Sequence, residues 1–469
     1  MQFLRSLLIK SPIIIAAALA VSAPRAAHSE ARLVIEADSG KVLEAENATV
    51  PWYPASVTKL MTAYVTLQAV KDGKLTLNTL LTVSPTAASQ SPSKMGFRPG
   101  TQVTVDNALK MMLVKSANDM AVVLAEGVGG SIDGFSAMMN QTAQKLGMTQ
   151  TSYVNPNGLP ADGQITSARD LAILARSIIK NLPEYEYYVH IPSIRFGKRI
   201  TQNFNRLIGR YPGADGFKTG FICASGYNLV ASATRDGRRL IAVVLGASSG
   251  TARSVRAAQL LDRGFASNGL SWLRPSLGTV DQLAPIDASP PNLREEVCGG
   301  KRHRPASDED DAVASNAGNS GSASAAGDGA NASAMFLAST LQAPLPKPSE
   351  WLAAPPAPSE PIVVYTGPTR SGAALVAAVA ADSASQDKPH KRGKRSHVAS
   401  KKQETTEPKS TEAKASEAKP AAKPAATRHA SAKSDAAAKP AARDASAAKP
   451  AKPKTAAKPK PKSDSKPAG

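Results

Sequence analysis

Apolar and polar positions follow two different rhythms along the first ~272 residues of this 469-residue chain, and neither persists beyond them. Residues 33–37 (LVIEA) and 42–45 (VLEA) flank Asp38-Ser-Gly-Lys41, which predicts a β-hairpin with Gly40 where φ must be positive. Pro54 then opens a helix near Ser56. In it Val57, Leu60, Met61, Tyr64 and Leu67 recur at helical spacing, while Thr58, Thr62 and Thr66 fall elsewhere on the wheel. This helix is expected to be central and buried. Residues 106–114, 119–126 and 133–146 read as three further helices, with Ser116-Ala-Asn118 at the first junction. After the loop Asn155-Pro-Asn-Gly-Leu-Pro160, the stretch Thr166-Ser-Ala-Arg-Asp170 looks like a capping box for a helix over 171–180.

Past Pro212 the rhythm becomes that of strands, over 216–220, 226–234 and 239–246, the last two joined across Arg235-Asp-Gly-Arg238. An amphipathic helix over 251–265 closes the series. Strands at both ends with helices between them predict an α+β domain, residues 30–272. Its antiparallel sheet is assembled from the two ends of the segment and flanked by helices, with a helical subdomain in the middle.

Composition sets this domain apart from the rest. Residues 1–29 carry Arg5 and Lys10, then an apolar stretch, then Ala27-His28-Ser29, the pattern of a secretory signal peptide cut after Ser29. The stretch is shorter than the ~20 residues of a membrane span. Residues 273–385 are rich in Ser, Ala and Gly around the acidic knot Asp308-Glu-Asp-Asp311 and are read as a disordered, low-complexity linker. Within it, Ile362-Val-Val-Tyr-Thr366 fits either a recognition segment or a local strand. Residues 386–469 repeat Lys-Pro-Ala-Ala units, whose prolines and charge forbid a packed core. Of the formal net charge of +20, about +14 falls in this basic tail. Export would allow Cys223 and Cys298 to pair, but Cys298 lies in the linker, so the sequence leaves the bridge open.

Candidate chemistry begins with Ser56-Val-Thr-Lys59. Residues three apart share a helix face, so the Ser56 hydroxyl and the Lys59 amine can meet as nucleophile and base. An exposed lysine, with a pKa of about 10.4, is useless as a base at neutral pH; burial or a neighbouring cation must lower it. Spacing alone decides nothing, because Ser91-Pro-Ser-Lys94, Ser416-Glu-Ala-Lys419, Ser446-Ala-Ala-Lys449 and Ser463-Asp-Ser-Lys466 match equally well, and a helix N-cap is the plain alternative for Ser56. Order and context discriminate. Ser116-Ala-Asn118 and then Lys218-Thr-Gly220, on a predicted strand, complete the set found in penicillin-binding proteins and serine β-lactamases.

Longer stretches narrow this. PASVTKLMTAYV (54–65), MGFRPG (95–100), SANDMAVVLAE (116–126), NGLPADGQITSARDLA (157–172), DGFKTG (215–220) and SGYNLVASATRDGRRLIAVVLG (225–246) resemble the low-molecular-weight serine D-alanyl-D-alanine carboxypeptidases of bacterial cell walls. The resemblance covers roughly residues 30–272 and implies a DD-peptidase/β-lactamase-like fold. It also implies removal of the terminal D-alanine from peptidoglycan stem pentapeptides through an acyl-enzyme, a role in controlling cross-linking and cell shape, and covalent inhibition by β-lactams.

Carried over by residue, Ser56 would be the nucleophile, Lys59 the general base and Ser116 a proton relay. Asn118 would bind the substrate backbone. Lys218 would act as a cation beside Lys59 and, with Thr219, hold the substrate carboxylate; Gly220 would let the strand approach the substrate. The oxyanion hole would be the backbone N–H groups of Ser56 and Phe221. Many relatives carry His where Phe221 stands, a departure that bears on substrate preference. Arg253 matches a carboxylate-holding position, with a solvated surface role as the alternative. Arg206 is a weaker candidate for the same job, and Asn155 and Asn157 read as turn formers.

Other functions fit less well. A class A β-lactamase needs a Glu-activated water, and the loop at 155–160 lacks the Glu-x-x-Leu-Asn pattern. Endopeptidase cleavage of cross-links uses the same acyl chemistry and stays open. The six histidines show no His-Glu-x-x-His spacing, so neither a zinc peptidase nor any metal or other cofactor is implied. The tail would bind any polyanion, but export argues against nucleic acid. Anionic envelope surfaces in the periplasm are the expected contact.

Overall fold

In the computed structural model, residues 30–267, 276–299 and 347–386 are described. The hairpin β1 (Ala31–Glu36) and β2 (Val42–Glu46) forms as expected, with Gly40 at φ 73°. A 3-10 turn, Ala55–Thr58, leads into α1 (Lys59–Lys71), whose residues are buried nearly all round, the condition of a central helix. The helical subdomain follows as α2 (Pro85–Ser89), α3 (Val105–Val114), α4 (Asn118–Gly129), α5 (Ile132–Lys145) and α6 (Ala168–Asn181), with the short pair β3 (Leu80–Thr82) and β4 (Gln102–Thr104) beside it. Ser167 caps α6 by accepting from the Asp170 N–H at 3.1 Å.

After the hairpin β5 (Ser193–Phe196) and β6 (Arg199–Gln202), the chain lays down β7 (Ala214–Ile222), β8 (Gly226–Arg235) and β9 (Arg238–Ala247), then α7 (Gly250–Ala266). The main sheet has the order β2-β1-β9-β8-β7, antiparallel throughout. It is the sheet expected from the two ends of the segment. Alternation along the strands serves two cores: Leu33, Ile35, Ile241 and Val243 join the helical subdomain, while Val34, Leu240, Ala242 and Val244 pack with α7.

One expectation fails in part. Segments 276–299 and 347–386, read from composition as disordered linker, are ordered where they are described. Gly278 and Val280 hydrogen-bond to the β1–β2 turn, and α8 (Arg294–Cys298) is joined to the end of β7 by a Cys223–Cys298 disulfide. Further on come α9 (Pro348–Ala353), β10 (Ile362–Val364), which pairs parallel to β5, and α10 (Gly372–Gln386). Composition misleads here because a few apolar side chains suffice: Val280, Leu293, Leu352 and Val364 are each buried against a core that already exists. The expected signal peptide, the acidic knot and the basic tail lie outside the described residues. No described helix is long and apolar enough to cross a membrane.

Candidate active site

The nucleophile candidate sits where sheet, helix and loop converge. Ala55, just before Ser56, adopts φ 50°, and Ser116, entering α4, adopts φ 61°, both in the left-handed region. Such conformations cost a non-glycine residue about 1–3 kcal/mol and persist only where surrounding structure imposes them. At Ala55 that structure is the loop at 155–158: a Cβ on Gly158 would stand 1.8 Å from the Ala55 carbonyl oxygen. Ser56 lies inside the 3-10 turn and makes no cap, which removes its plain alternative role.

Lys59 is fully buried, and its Nζ lies 2.9 Å from Ser56 Oγ, 2.7 Å from Asn118 Oδ1 and 2.6 Å from the Asn157 carbonyl oxygen. The loop carrying that carbonyl is itself pinned to α1, since Thr62 donates to the Pro156 carbonyl at 2.6 Å and Gln164 donates to Thr58 Oγ1 at 3.0 Å. Two of the threonines off the helix's apolar face, Thr58 and Thr62, thus bring the loop to the lysine.

Across the groove Lys218, 2% exposed, donates from Nζ to Ser116 Oγ at 3.0 Å and to the Thr219 carbonyl at 3.0 Å. Asn118 spends its amide protons on the Ser91 and Pro92 carbonyls, at 3.0 and 3.2 Å. Those carbonyls belong to a loop that Asp119 fastens down by accepting from the Met95 and Gly96 N–H groups at 3.1 and 2.9 Å. Burial pushes the Asp119 carboxyl above its ordinary value against these backbone donors. Ser56, Ser116, Asn118, Leu159, Phe204 and Phe221 line the groove.

The remaining candidates have differing surroundings. Thr219 is buried. A Cβ on Gly220 would meet Ser56 N at 2.8 Å and Val57 N at 2.9 Å, so this glycine accommodates the nucleophile's turn rather than leaving room for a ligand. Arg253 is not solvated: 3% exposed, it donates from Nη1 to the Gly220 and Asn228 carbonyls, each at 3.4 Å. Arg206 bonds to Thr251 and the Leu352 carbonyl. Asn155 forms the turn expected of it, accepting from the Gly158 N–H at 2.8 Å. Of the other Ser-x-x-Lys matches, Lys94 donates to the Ala88 carbonyl, and the three in the tail lie outside the described residues.

Two contributors escape a reading of the sequence. Asn157 acts through a backbone carbonyl, which no residue pattern encodes. Asn228, fully buried in β8, donates to the Tyr53 and Pro54 carbonyls at 3.0 and 3.1 Å. Its signal was a lone amide inside the apolar run GYNLVASA.

Comparison with known proteins points to one family. A family model described as D-alanyl-D-alanine carboxypeptidase matches residues 17–249. D-alanyl-D-alanine carboxypeptidase DacC of Escherichia coli (strain K12) is 40% identical over 263 residues, 54% of this chain and 65% of the relative. DacB2 of Mycobacterium tuberculosis is 35% identical over 245 residues, 50% of this chain and 82% of the relative. Among solved structures, the D-alanyl-D-alanine carboxypeptidase DacD of Francisella tularensis aligns with a TM-score of 0.50 at 33% identity, covering 50% of this chain and 70% of that one. The chain spans a little under two thirds of the length of the curated relatives from Escherichia coli and Bacillus subtilis that it matches, from 60% to 65%. With Ser-x-x-Lys, Ser-x-Asn and Lys-Thr-Gly gathered at one groove, the chain belongs to the D-alanyl-D-alanine carboxypeptidase family.

Proposed function

We propose that this protein is a serine-type carboxypeptidase that removes the terminal D-alanine from peptidoglycan stem pentapeptides through an acyl-enzyme on Ser56. The observation that carries the reading is the set of acceptors around Lys59. A neutral amine has two N–H donors and one lone pair. Asn118 Oδ1 and the Asn157 carbonyl can only accept, so they take both protons, and the lone pair is left facing the Ser56 hydroxyl at 2.9 Å. Burial disfavours the charged ammonium, the direction a general base requires.

The Ser56 proton passes to Lys59 as Oγ bonds to the carbonyl carbon between the two D-alanines, and the oxyanion is held by the Ser56 and Phe221 N–H groups. Collapse breaks the peptide bond. The leaving D-alanine nitrogen takes a proton through Ser116, whose hydroxyl is held by Lys218. Water then hydrolyses the ester. Lys218 also presents positive potential to the substrate's terminal carboxylate, with Thr219 beside it, while Arg253 supports the strand from behind. For Asn118 to donate to the substrate backbone, its amide must exchange one of its bonds to Ser91 or Pro92. A β-lactam ring opened by Ser56 would leave the same ester on the enzyme, which makes penicillins covalent inhibitors.

Residues 1–29 direct export to the periplasm in this reading, and the basic tail tethers the enzyme to anionic envelope surfaces, on the strength of its charge. Deleting 386–469 is expected to abolish low-salt co-sedimentation with envelope fractions; unchanged sedimentation contradicts the tether. The reaction itself is tested with a muropeptide ending in D-Ala-D-Ala. The protein is expected to release D-alanine, and Ser56→Ala none. Activity surviving the substitution would sink the mechanism, and penicillin labelling without D-alanine release would move the reading to a sensor or a β-lactamase.

A further inference from the structure

The two N–H groups assigned to the oxyanion belong to different elements, Ser56 to the turn ahead of α1 and Phe221 to β7. Their separation is therefore set by whatever joins turn to sheet. Asn228, on β8 and paired with β7, makes one such join at the residues just before the nucleophile. Its amide nitrogen donates to the carbonyls of Tyr53 and Pro54, the residues leading into the turn, at 3.0 and 3.1 Å. Its Oδ1 accepts from the Gly246 N–H of β9 at 3.1 Å, so one fully buried side chain spans three segments. Asn228 is also the register partner of Gly220, whose missing Cβ leaves room for the Ser56 and Val57 nitrogens. Arg253 ties the pair together from behind by bonding to both carbonyls. A second tie, from Trp52 Nε1 to the Ser225 carbonyl at 3.0 Å, lies further from Ser56 along the chain.

We propose that Asn228 is a positioning residue for the oxyanion hole, fixing the turn of Ser56 against β7 so that the Ser56 and Phe221 N–H groups converge on one oxygen. The inference rests on the acyl-transfer reading above. It has a kinetic signature that a purely structural asparagine lacks. Acylation and deacylation both pass through a tetrahedral oxyanion, so displacing one donor slows both steps. Substrate affinity, which depends on the carboxylate contacts, stays put.

Removing a single oxyanion donor costs about 10²–10³ in rate, and displacing one should cost roughly 10- to 100-fold. The test compares the full chain with Asn228→Ala and Asn228→Ser by active-site titration with a fluorescent penicillin, followed by single-turnover acylation and deacylation and by kcat and KM for D-alanine release. The expected result is full titration stoichiometry with both rates and kcat reduced, KM unchanged, and Asn228→Ser, which keeps one hydroxyl donor, falling between wild type and Asn228→Ala. Should Asn228→Ala precipitate, Asn228→Ser carries the comparison. Wild-type rates at full stoichiometry overturn the proposal, as does a reduced labelled fraction whose remaining sites react at wild-type rate. If wild type takes no label, the acyl-transfer reading fails with it; labelled wild type with unaffected variants removes this inference alone.

Discussion

Gly220 and Ser56 are packed backbone against backbone: a methyl on Gly220 would lie 2.8 Å from the Ser56 nitrogen, well inside contact distance. The last residue of the Lys-Thr-Gly motif and the first of the Ser-x-x-Lys motif are thus parts of one joint. Gly220→Ala is expected to cost about 1–3 kcal/mol of stability from overpacking, read from thermal or denaturant unfolding. Penicillin acylation should fall as well, because relief requires β7 to move away from the nucleophile. A variant of wild-type stability and acylation rate would mean that the joint is looser than this.

Lys59 separates charge from basicity. Lys59→Arg retains donors for Asn118 and Asn157 but cannot surrender a proton near neutral pH. Acylation is expected to drop about 10²–10⁴-fold while the protein stays folded, as checked by stopped-flow labelling and circular dichroism. Retention of more than a tenth of the rate would point to another base.

The Cys223–Cys298 bridge closes a loop across 75 positions and fixes α8 one residue beyond groove-lining Ile222. Disulfides over such loops typically stabilise by about 2–4 kcal/mol. Cys298→Ser is expected to lower the melting temperature by several degrees, and dithiothreitol should lower wild type to match it. Equal melting temperatures in oxidised and reduced wild type would contradict this.

Acid should weaken one particular cluster. Burial alone would raise the Glu186 carboxyl, but its bonds to His190 and Arg239 outweigh that and hold it below its ordinary value. A lowered folded-state value means that the contribution is present above the unfolded pKa of about 4.3 and is lost as pH falls through the folded one. Wild type is therefore expected to be more stable than Glu186→Gln at pH 7, and the gap in melting temperature should shrink as pH falls below the ordinary glutamate range. A gap independent of pH would show that the loss is one of packing.

Most of the catalytic unit could be read from the chain because its information is local and repeated. The hairpin with Gly40, the central helix of Val57, Leu60 and Met61, and the strands around Lys218 each declare themselves by period. The three motifs fix one another by order. What stayed hidden acts through the backbone or through sparse contacts. The Asn157 carbonyl has no residue signature, and Asn228 is a single amide in an apolar strand. The purpose of Gly220 depends on a neighbour 164 positions away. The ordering of 276–299 and 347–386 escaped because a segment docking onto a finished core needs only an occasional Leu293 or Val364, far below what composition registers. Arg253 is buried against the Gly220 and Asn228 carbonyls rather than solvated, which the sequence could not show, since burial of a long side chain depends on where its helix lands.

The central claim is that Ser56 carries the acyl group and Lys59 makes it do so. The most direct measurement is intact-mass analysis of the protein after a short exposure to benzylpenicillin, with peptide mapping of the adduct. One added penicilloyl mass on the peptide containing Ser56, abolished in Ser56→Ala and greatly slowed in Lys59→Arg, is the predicted result. An adduct on any other residue, or one of undiminished yield in Ser56→Ala, would contradict it.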